Sequence, residues 1–552
     1  MSKFLSLCLA AFLCLGQINA QFQVIGNSTE FEEPETGFCK IITAKDGGTV
    51  YLHITIKDGI NARIYDPAHK VKVVKNVVPA YGKLKGGDVI GAYEINGNIA
   101  LFIREYEDKT PVLYRLLIDM QKGTLVDEKE IGTLKKMDMG KGYAMLFGKV
   151  PMPDFYVRKD PESDNYAVAL FNSFANDRNE RIELVHYNKD HKEISRAFYQ
   201  SPNDEYKYLT FQDMTVMGDK EVVALAVGMN TRSSGGDQNG SLLTGTLSAG
   251  SKSLELSKLN YPGAAQIDGA LVRYNKVTDE YILLSVRPVK GSKSGEYKAY
   301  RTVLKKGNNS PVTTMLSSAS LNRIANRHFE KKDQFLAIPQ NLYVNDDGSY
   351  TIIFEENMMK SYTTSDFMGG NRGFGGSGFS RTTTTTRNTF FLNDIGIISY
   401  DKDGTEKGAF YIPKSQKVYS LPDMMYYSYR EESAISLSWG IQYKSFYYLN
   451  GKNQNYVFIN DIEKNQEKID DKKRVTTIQG LEDCEAYGFA INKGTEMPKR
   501  QLVFMDKDSK KERDIALFTV SAYDREHNIF TTLKRERTGR DKSVKIVWMQ
   551  PQ

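Results

Sequence analysis

The amino-acid sequence predicts an all-β protein, a β-propeller of four-stranded antiparallel blades, and three observations support this prediction. A hairpin pattern returns about every 50–70 residues from one end of the chain to the other. Each unit contains a second hairpin, and the last unit lacks a strand that the N-terminus can supply. We expect eight blades, with seven as the alternative because the seventh unit is long and irregular.

The recurring hairpin consists of a short polar or Gly-containing turn followed by an apolar, β-branched or aromatic run. A repeat of this size indicates stacked or radial repetition of one small sheet. The eight copies are AKDGGTVYLHI (44–54), EINGNIALFI (94–103), KDPESDNYAVAL (159–170), MGDKEVVALAV (217–227), YNKVTDEYILL (274–284), NDDGSYTIIF (345–354), LNGKNQNYVFI (449–459) and YDREHNIFTTL (523–533).

The second hairpin is clearest at 60–78, 182–198, 396–412 and 501–518. Its turns contain Asp, Pro and Gly, which suit tight reversals between strands. Two hairpins make a four-stranded antiparallel sheet, and radial repetition of such a sheet gives a propeller. A parallel β-helix is the competing architecture, but it predicts shorter, more uniform repeats. The best helix candidate is 317–334, with an apolar face at Leu321, Ile324 and Phe329.

The two ends of the chain predict how the ring closes. The last unit has strand-like runs at 520–523, 528–534 and 544–548, and the sequence QFQVIGN (21–27) precedes the first unit. A circular array of sheets must hide its open edge. We therefore expect 21–27 to complete the last blade, so that 21–552 forms a single domain.

Residues 1–20 are typical of a secretory signal peptide, with Lys3 before an apolar stretch and Ile18-Asn19-Ala20 as the cleavage site. The apolar stretch is too short to span a bilayer, and no later stretch predicts a transmembrane helix. Leu7 and Leu13 precede the two cysteines of this segment, where a lipoprotein site has a small residue. We expect an exported protein without a lipid anchor or a direct membrane span.

Charge and motifs disfavour several function classes. The 74 basic and 68 acidic residues are interspersed, which indicates a solvated surface and no nucleic-acid partner. The six histidines are scattered, and no HExxH, GxSxG or P-loop pattern occurs. We expect no catalytic, cofactor or metal site, and a protein that is not an enzyme. Carboxylates could still meet at the ring axis, because sequence spacing does not reveal which residues face it.

Two cysteines remain after the predicted cleavage, Cys39 and Cys484. They lie near opposite ends of the chain, which a propeller brings together, and an exported compartment permits disulfides. We expect a disulfide that locks the ring, with two buried free thiols as the alternative.

An insertion at 358–391 departs from the repeat. Its flanks, 360–367 and 380–391, are rich in Thr and aromatic residues that favour extended pairing, and its centre is Gly-rich. We expect a projecting hairpin that binds a partner; the alternative is a flexible surface loop. The predicted contact residues are Phe367, Met368, Arg372, Phe374 and Phe379.

A second unusual stretch, DMMYYSYREE (423–432), concentrates Met and Tyr in a connecting segment. Both residue types are enriched in interfaces, which predicts a second partner-binding set. The alternative is that they are core residues of the seventh blade. The predicted contact residues are Met424, Met425, Tyr426 and Tyr427.

The signal peptide, the eight polar-turn hairpins and the shared closing blade resemble envelope β-propeller proteins of Gram-negative bacteria. One branch of these is the eight-bladed quinoprotein dehydrogenases, whose Trp docking motifs and adjacent cysteines this chain lacks, since it has only Trp439 and Trp548. The other branch comprises non-catalytic propellers that scaffold outer-membrane machinery.

The resemblance implies a non-catalytic scaffold in the periplasm or at the periplasmic face of the outer membrane, without a cofactor. Its partner would be an outer-membrane or protein-secretion complex, and its oligomeric state stays open. Two alternatives remain: an enzyme or lectin that uses the axial pocket for a polysaccharide or another ligand, and an exported surface adhesin.

Overall fold

The computed structural model shows an all-β ring of eight antiparallel sheets, which confirms the predicted fold and blade number. It describes residues 22–552 except 81–86, 137–151, 231–239, 260–266, 290–295, 307–309, 330–334, 336–337, 369–380, 422–424, 438–440, 493, 505–512 and 539–540. The predicted signal peptide, 1–20, lies outside the described residues.

Blades 1 to 4 each contain four strands in chain order. The first strand of each blade, its inner strand, faces the ring axis. Two strands precede them, β1 (Phe22–Asn27) and β2 (Phe31–Glu32). Blade 1 has β3 (Phe38–Thr43), β4 (Thr49–Thr55), β5 (Gly59–Tyr65) and β6 (Val71–Val77); blade 2 has β7 (Asp88–Ile95), β8 (Asn98–Glu107), β9 (Thr110–Asp119) and β10 (Leu125–Thr133); blade 3 has β11 (Asp154–Lys159), β12 (Tyr166–Phe171), β13 (Ile182–Tyr187) and β14 (Glu193–Phe198); blade 4 has β15 (Tyr208–Met217), β16 (Glu221–Met229), β17 (Gly240–Ser248) and β18 (Glu255–Leu259).

Blades 5 to 8 repeat the same order with additions in blades 6 and 8. Blade 5 has β19 (Gly269–Asn275), β20 (Glu280–Pro288), β21 (Tyr297–Lys305) and β22 (Val312–Met315); blade 6 has β23 (Ile338–Val344), β24 (Tyr350–Met368), β25 (Arg381–Tyr400) and β26 (Glu406–Ile412), with β27 (Gln416–Val418) beside β25; β28 (Ile435–Ser436) joins β3 of blade 1; blade 7 has β29 (Tyr447–Leu449), β30 (Asn455–Ile462), β31 (Cys484–Ile491) and β32 (Arg500–Leu502); blade 8 has β33 (Ile515–Ala516), β34 (Ala522–Asp524), β35 (Ile529–Thr538) and β36 (Asp541–Pro551).

The N-terminal strand closes the ring, as the sequence predicts. Strand β1 pairs antiparallel with β36, from Phe22 opposite Pro551 to Asn27 opposite Val547. Phe22 is buried and its ring lies 4.9 Å from that of Tyr456 in the neighbouring blade. The closure therefore combines main-chain hydrogen bonds with an apolar anchor.

The predicted disulfide is wrong: Cys39 and Cys484 are buried free thiols. The Sγ of Cys39 lies 3.3 Å from the hydroxyl of Tyr51, and the Sγ of Cys484 is 3.8 Å from the carbonyl of Gly480. Cys484 belongs to blade 7, so blade 8 still follows it before the ring closes. Both side chains instead fill one apolar cluster that also contains Trp548.

Helices are few in the described part of the chain. The helix predicted within 317–334 is present, and its apolar face at Leu321, Ile324 and Phe329 is buried. None of the described helices is long and apolar enough to cross a bilayer. The α-helices are α1 (Ala319–Phe329), α2 (Tyr426–Glu432) and α3 (Lys464–Asp470), and the 3₁₀ helices are Arg178–Glu180, Pro202–Asp204 and Phe518–Val520.

Candidate functional site

The connection between blades 6 and 7 crosses the ring axis instead of passing directly to the next blade. Helix α2 lies in this connection and contacts the inner strands of blades 2, 3 and 6. The segment then reaches blade 1, where Ile435 pairs with Cys39 and Ser436 pairs with Phe38. The axis of the ring is therefore occupied by the chain's own helix.

Glu432, the last residue of α2, is held by two inner strands. Its Oε2 accepts a hydrogen bond from the hydroxyl of Tyr93 at 2.8 Å, and its Oε1 accepts one from Nη1 of Arg158 at 3.1 Å. Arg158 is almost fully buried, so this pair is shielded from water. Blades 2 and 3 thus fix the C-terminal end of the helix.

Asp213 connects the basic side chains of blades 3 and 5. Its Oδ1 lies 3.0 Å from Nη2 of Arg158, and its Oδ2 lies 2.8 Å from Nη1 of Arg273. The hydroxyl of Tyr156 and the backbone N–H of Val272 donate two further hydrogen bonds to this carboxylate. Burial alone would raise the pKa of Asp213, but the two guanidinium groups hold it below its usual value.

Glu431 is held by blade 6 and is exposed to the axial cavity. Its Oε2 accepts a hydrogen bond from Nδ2 of Asn341 at 2.6 Å, and its Oε1 accepts one from the hydroxyl of Tyr343. Arg273 donates to Oδ1 of the same Asn341 at 2.9 Å, while Nζ of Lys40 donates to the Glu431 carbonyl at 2.6 Å. One continuous network of hydrogen bonds and ion pairs, the axial network, therefore joins α2 to blades 1 to 6.

Two β-bulges help to aim polar groups at the axis. The pairing of β15 with β16 shifts between Phe211 and Asp213, and that of β23 with β24 shifts between Pro339 and Asn341. In each case the network residue comes directly after the shift. Bulges re-aim side chains in this way beside functional sites.

A cavity of about 420 Å³ reaches the network from one end of the ring. Lys40, Tyr93 and Glu431 line its inner part, while Glu94, Lys159 and Arg525 lie at the ends of inner strands. This axial cavity leads from the turns after the inner strands to the carboxylate of Glu431.

Blade 6 carries the predicted hairpin. Strands β24 and β25 contain 19 and 20 residues, and they stay paired from Asn357 opposite Leu392 to Met368 opposite Arg381. We call 357–392 the arm. Twelve residues at about 3.3 Å each give it a length of about 40 Å. Of its predicted contact residues, Phe367 pairs with Thr382, and Met368 is the last described residue of β24. Arg372, Phe374 and Phe379 lie outside the described residues.

The arm begins at a bulge beside a buried ion pair. The pairing of β24 with β25 shifts between Glu355 and Asn357, and Oε1 of Glu355 lies 2.7 Å from Nζ of Lys414. Both side chains of this pair are fully buried. The hydroxyl of Tyr426, in the first turn of α2, donates to Oε2 of Glu355 at 3.0 Å. Helix α2 thus begins at the foot of the arm and ends in the axial network.

The second predicted partner-binding set needs correction. Met425, Tyr426 and Tyr427 are buried within the chain, with Tyr427 stacked on Phe446. Met424 lies outside the described residues. The three described side chains are core residues and present no surface to a partner, because α2 packs them inward as it enters the axis.

The axial residues are absent from the sequence prediction, although one signal points to them. Arg158, Asp213, Arg273 and Asn341 are charged or amide side chains inside inner strands that are mostly buried. A polar residue in a buried strand needs a partner. Within the described residues, no group of three or more His, Cys, Asp or Glu side chains could hold a metal ion.

Comparison with known proteins finds likeness in fold only. No protein-family model matches the chain, and no curated protein matches it significantly. The β-propeller domain of the Trilobed protease from Pyrococcus furiosus is 9% identical over 68% of this chain and 93% of that chain, with a TM-score of 0.30. The uncharacterized protein lmo1340 from Listeria monocytogenes EGD-e is 9% identical over 73% of this chain and 87% of that chain, also with a TM-score of 0.30.

The full extracellular region of plexin A4 is 9% identical over 96% of this chain, with a TM-score of 0.30, and the match spans only 47% of that region. Similarity at this level carries no argument about function or family. The chain is identified by its own architecture, as an eight-bladed β-propeller closed by its N-terminal strand.

Proposed function

We propose that this protein is a non-catalytic periplasmic scaffold that binds an outer-membrane or protein-secretion complex through its arm. The observation that supports this function is the length of β24 and β25 beyond their blade. A ring needs no such extension for its own closure, since β1 already pairs with β36.

The arm offers open strand edges to a partner. Among the described residues, only β27 pairs with an edge of the arm, and it does so only at Phe390, Phe391 and Leu392. An open edge favours aggregation and is usually blocked, so a long unblocked one is a ready template for pairing with another chain. Addition of a partner strand, or insertion of the arm into a partner groove, would use these backbone groups.

The axis is the second candidate for function. The alternative of an axial ligand, such as a polysaccharide, predicts polar and aromatic groups that converge on the axis, and Tyr93, Tyr156 and Arg158 do so. Glu431 and Glu432 of the chain itself occupy this position. We therefore assign partner binding to the arm and treat the axis separately below.

Affinity purification from solubilised envelopes of the native host tests the proposed function. The tagged full chain is compared with a variant that lacks 366–380, and a Tyr419→Ala variant serves as the control because Tyr419 is an exposed aromatic residue outside the arm. We expect a stoichiometric envelope protein with the full chain and with Tyr419→Ala, and its loss with the deletion. Retention by the deletion variant, or a full chain without any partner, would overturn the proposal.

A further inference from the structure

We infer that the ring axis is a carboxylate-binding site whose present occupant is the Glu431–Glu432 pair, and that a ligand with two carboxylate groups binds there in exchange for this pair. The inference concerns the axial network and does not depend on the arm. The residues that would hold the ligand come from the inner strands, while the residues that now fill the site come from α2.

The charge of the network supports an anion site. Within the axial network, the inner strands contribute three basic side chains, Lys40, Arg158 and Arg273, against one carboxylate, Asp213. The strand residues of the network therefore carry two more positive than negative charges. The carboxylates of Glu431 and Glu432 balance this excess. A group that replaces them must bring similar charge, because Arg158 and Arg273 are mostly buried and share a single carboxylate, that of Asp213.

The geometry of the donors supports carboxylates as the ligand groups. Each glutamate is bound by two side-chain donors: the Tyr93 hydroxyl and the Arg158 guanidinium for Glu432, and the Asn341 amide and the Tyr343 hydroxyl for Glu431. These donors stand on strands rather than on loops, so they keep their positions if α2 moves. Hydrogen bonds to charged acceptors are the stronger ones in proteins.

The structure of α2 favours exchange. It has only seven residues, and a helix of that length is unstable without tertiary contacts. Met425, directly before it, has φ +56°, a strained left-handed conformation for a bulky residue without glycine's freedom. The helix therefore depends on its contacts with the strands, which include the ion pair and hydrogen bonds of its two glutamates.

The axial cavity gives a ligand its path. Its volume of about 420 Å³ extends to Lys40, Tyr93 and Glu431, so a small molecule meets the network without any opening of the ring. A free dicarboxylate and an acidic peptide segment present the same chemistry here. Because α2 occupies the site, the apparent affinity for either ligand equals the intrinsic affinity multiplied by the fraction of molecules in which the site is open.

Calorimetric titration of the purified chain from residue 21 onwards tests this inference. The probes are glutarate and a triglutamate peptide, with triglutamine as the uncharged control. The double variant Glu431→Gln/Glu432→Gln weakens the binding of α2 to the axial site, because it removes both carboxylates. The matched control, Glu94→Gln/Glu526→Gln, removes the same charge from two cavity residues outside the network.

We expect Glu431→Gln/Glu432→Gln to bind triglutamate about tenfold more tightly than the wild type, because the internal competitor is weaker. The matched control should stay within about twofold of the wild type, since Glu94 is partly buried and Glu526 exposed, both outside the network, where charges act weakly. Addition of Tyr93→Phe and Tyr343→Phe to the first variant should remove most of the gain. Binding of glutarate as well as peptide would identify small dicarboxylates as the ligand class, and binding of the peptide alone would identify an acidic polypeptide segment.

Equal affinity of the double variant and the wild type would overturn the inference, as would the same gain in the matched control or with triglutamine. If the double variant does not fold, the same titration of the single variant Glu431→Gln provides the test, because this variant keeps the pair between Glu432 and Arg158. We expect a gain of about threefold for that variant; no gain would overturn the inference.

Discussion

The hydroxyl of Tyr426 donates a hydrogen bond of 3.0 Å to Oε2 of Glu355, and this bond joins the foot of the arm to the helix that fills the axis. Glu355 is itself bound to Lys414 in a fully buried ion pair. At its other end, α2 places Glu432 against Tyr93 and Arg158. The two candidate sites therefore share one short helix.

We expect Tyr426→Phe to lower the free energy of unfolding by about 1–2 kcal/mol, because a buried carboxylate loses a hydrogen bond. Amide exchange in α2 should also become faster. Tyr199→Phe is the matched control, since the Tyr199 hydroxyl is buried and has no hydrogen-bond partner among the described residues. Urea denaturation and hydrogen-exchange mass spectrometry provide the measurements. Equal effects of the two substitutions would contradict the link between arm and helix.

Asp213→Asn should lower the free energy of unfolding by about 3–5 kcal/mol, because Arg158 and Arg273 would stay buried without their shared carboxylate. The control is Asp471→Asn, whose carboxylate pairs with Lys473 at 3.0 Å while both side chains are more than half exposed. Exposed pairs contribute less than about 1 kcal/mol. Urea denaturation at neutral pH measures both, and a small effect of Asp213→Asn would mean that the axial charges are not buried as described.

The raised pKa of Asp461 predicts that the free energy of unfolding depends on pH. Burial raises its pKa to about 6, although Arg500 at 2.8 Å opposes this shift. The folded chain then holds this proton more tightly than the unfolded chain, in which the pKa of Asp is about 3.9. The resulting stabilisation is present at low pH and is lost as the pH rises from about 4 to about 6.

We therefore expect the stability of the wild type relative to Asp461→Asn to fall between about pH 4 and pH 6 and to stay constant above that. Urea denaturation of both proteins across this range gives the difference directly. Since the asparagine does not titrate, other groups cancel in the comparison. A difference that is constant, or that rises with pH, would show that Asp461 has no raised pKa.

The two thiols should be unreactive while the protein is folded. Burial raises the pKa of Cys39 and of Cys484 to about 12, so neither forms the reactive thiolate at about pH 8. We expect Ellman's reagent to label the chain from residue 21 onwards only after denaturation, with two thiols per molecule even without reductant. Fewer than two thiols per molecule after denaturation would show that Cys39 and Cys484 form a disulfide.

The closing strand should contribute strongly to stability. Phe22→Ala should lower the free energy of unfolding by about 3–5 kcal/mol, because it removes a buried aromatic anchor between β1 and blade 7. Val24→Ala on the same strand is the control, since Val24 is exposed, and it should change stability by less than about 0.5 kcal/mol. Similar effects of both would mean that β1 closes the ring through its backbone alone.

The repeat could be predicted because its signals are local, and the closure because the last unit is one strand short. Turn residues and alternating apolar runs recur within each unit, and the strand at 21–27 is the obvious partner for a three-stranded last unit. The long pairing of β24 with β25 was likewise visible in the Thr-rich flanks. The hairpin signals depend on neighbours in sequence, whereas the closure followed from the number of strands in the last unit.

The axial network could not be predicted, because its members lie on separate blades and only the ring brings them together. Asp213 and Arg273, for example, are 60 residues apart and form one ion pair. The disulfide prediction failed for a related reason: nearness to the chain ends does not decide which way a side chain points. Likewise, Met425 and Tyr427 resemble interface residues in composition, but the path of α2 through the axis buries them.

Photo-crosslinking from the arm tests the central claim most directly. A photoreactive amino acid at Tyr362 or Phe367 lies on the paired strand β24, and the same group at Phe198, exposed on the outer strand of blade 3, is the control. In cells of the native host, we predict one crosslinked envelope protein from both arm positions and none from Phe198. Equal crosslinking from all three positions, or none from the arm while the partner still co-purifies, would contradict the account.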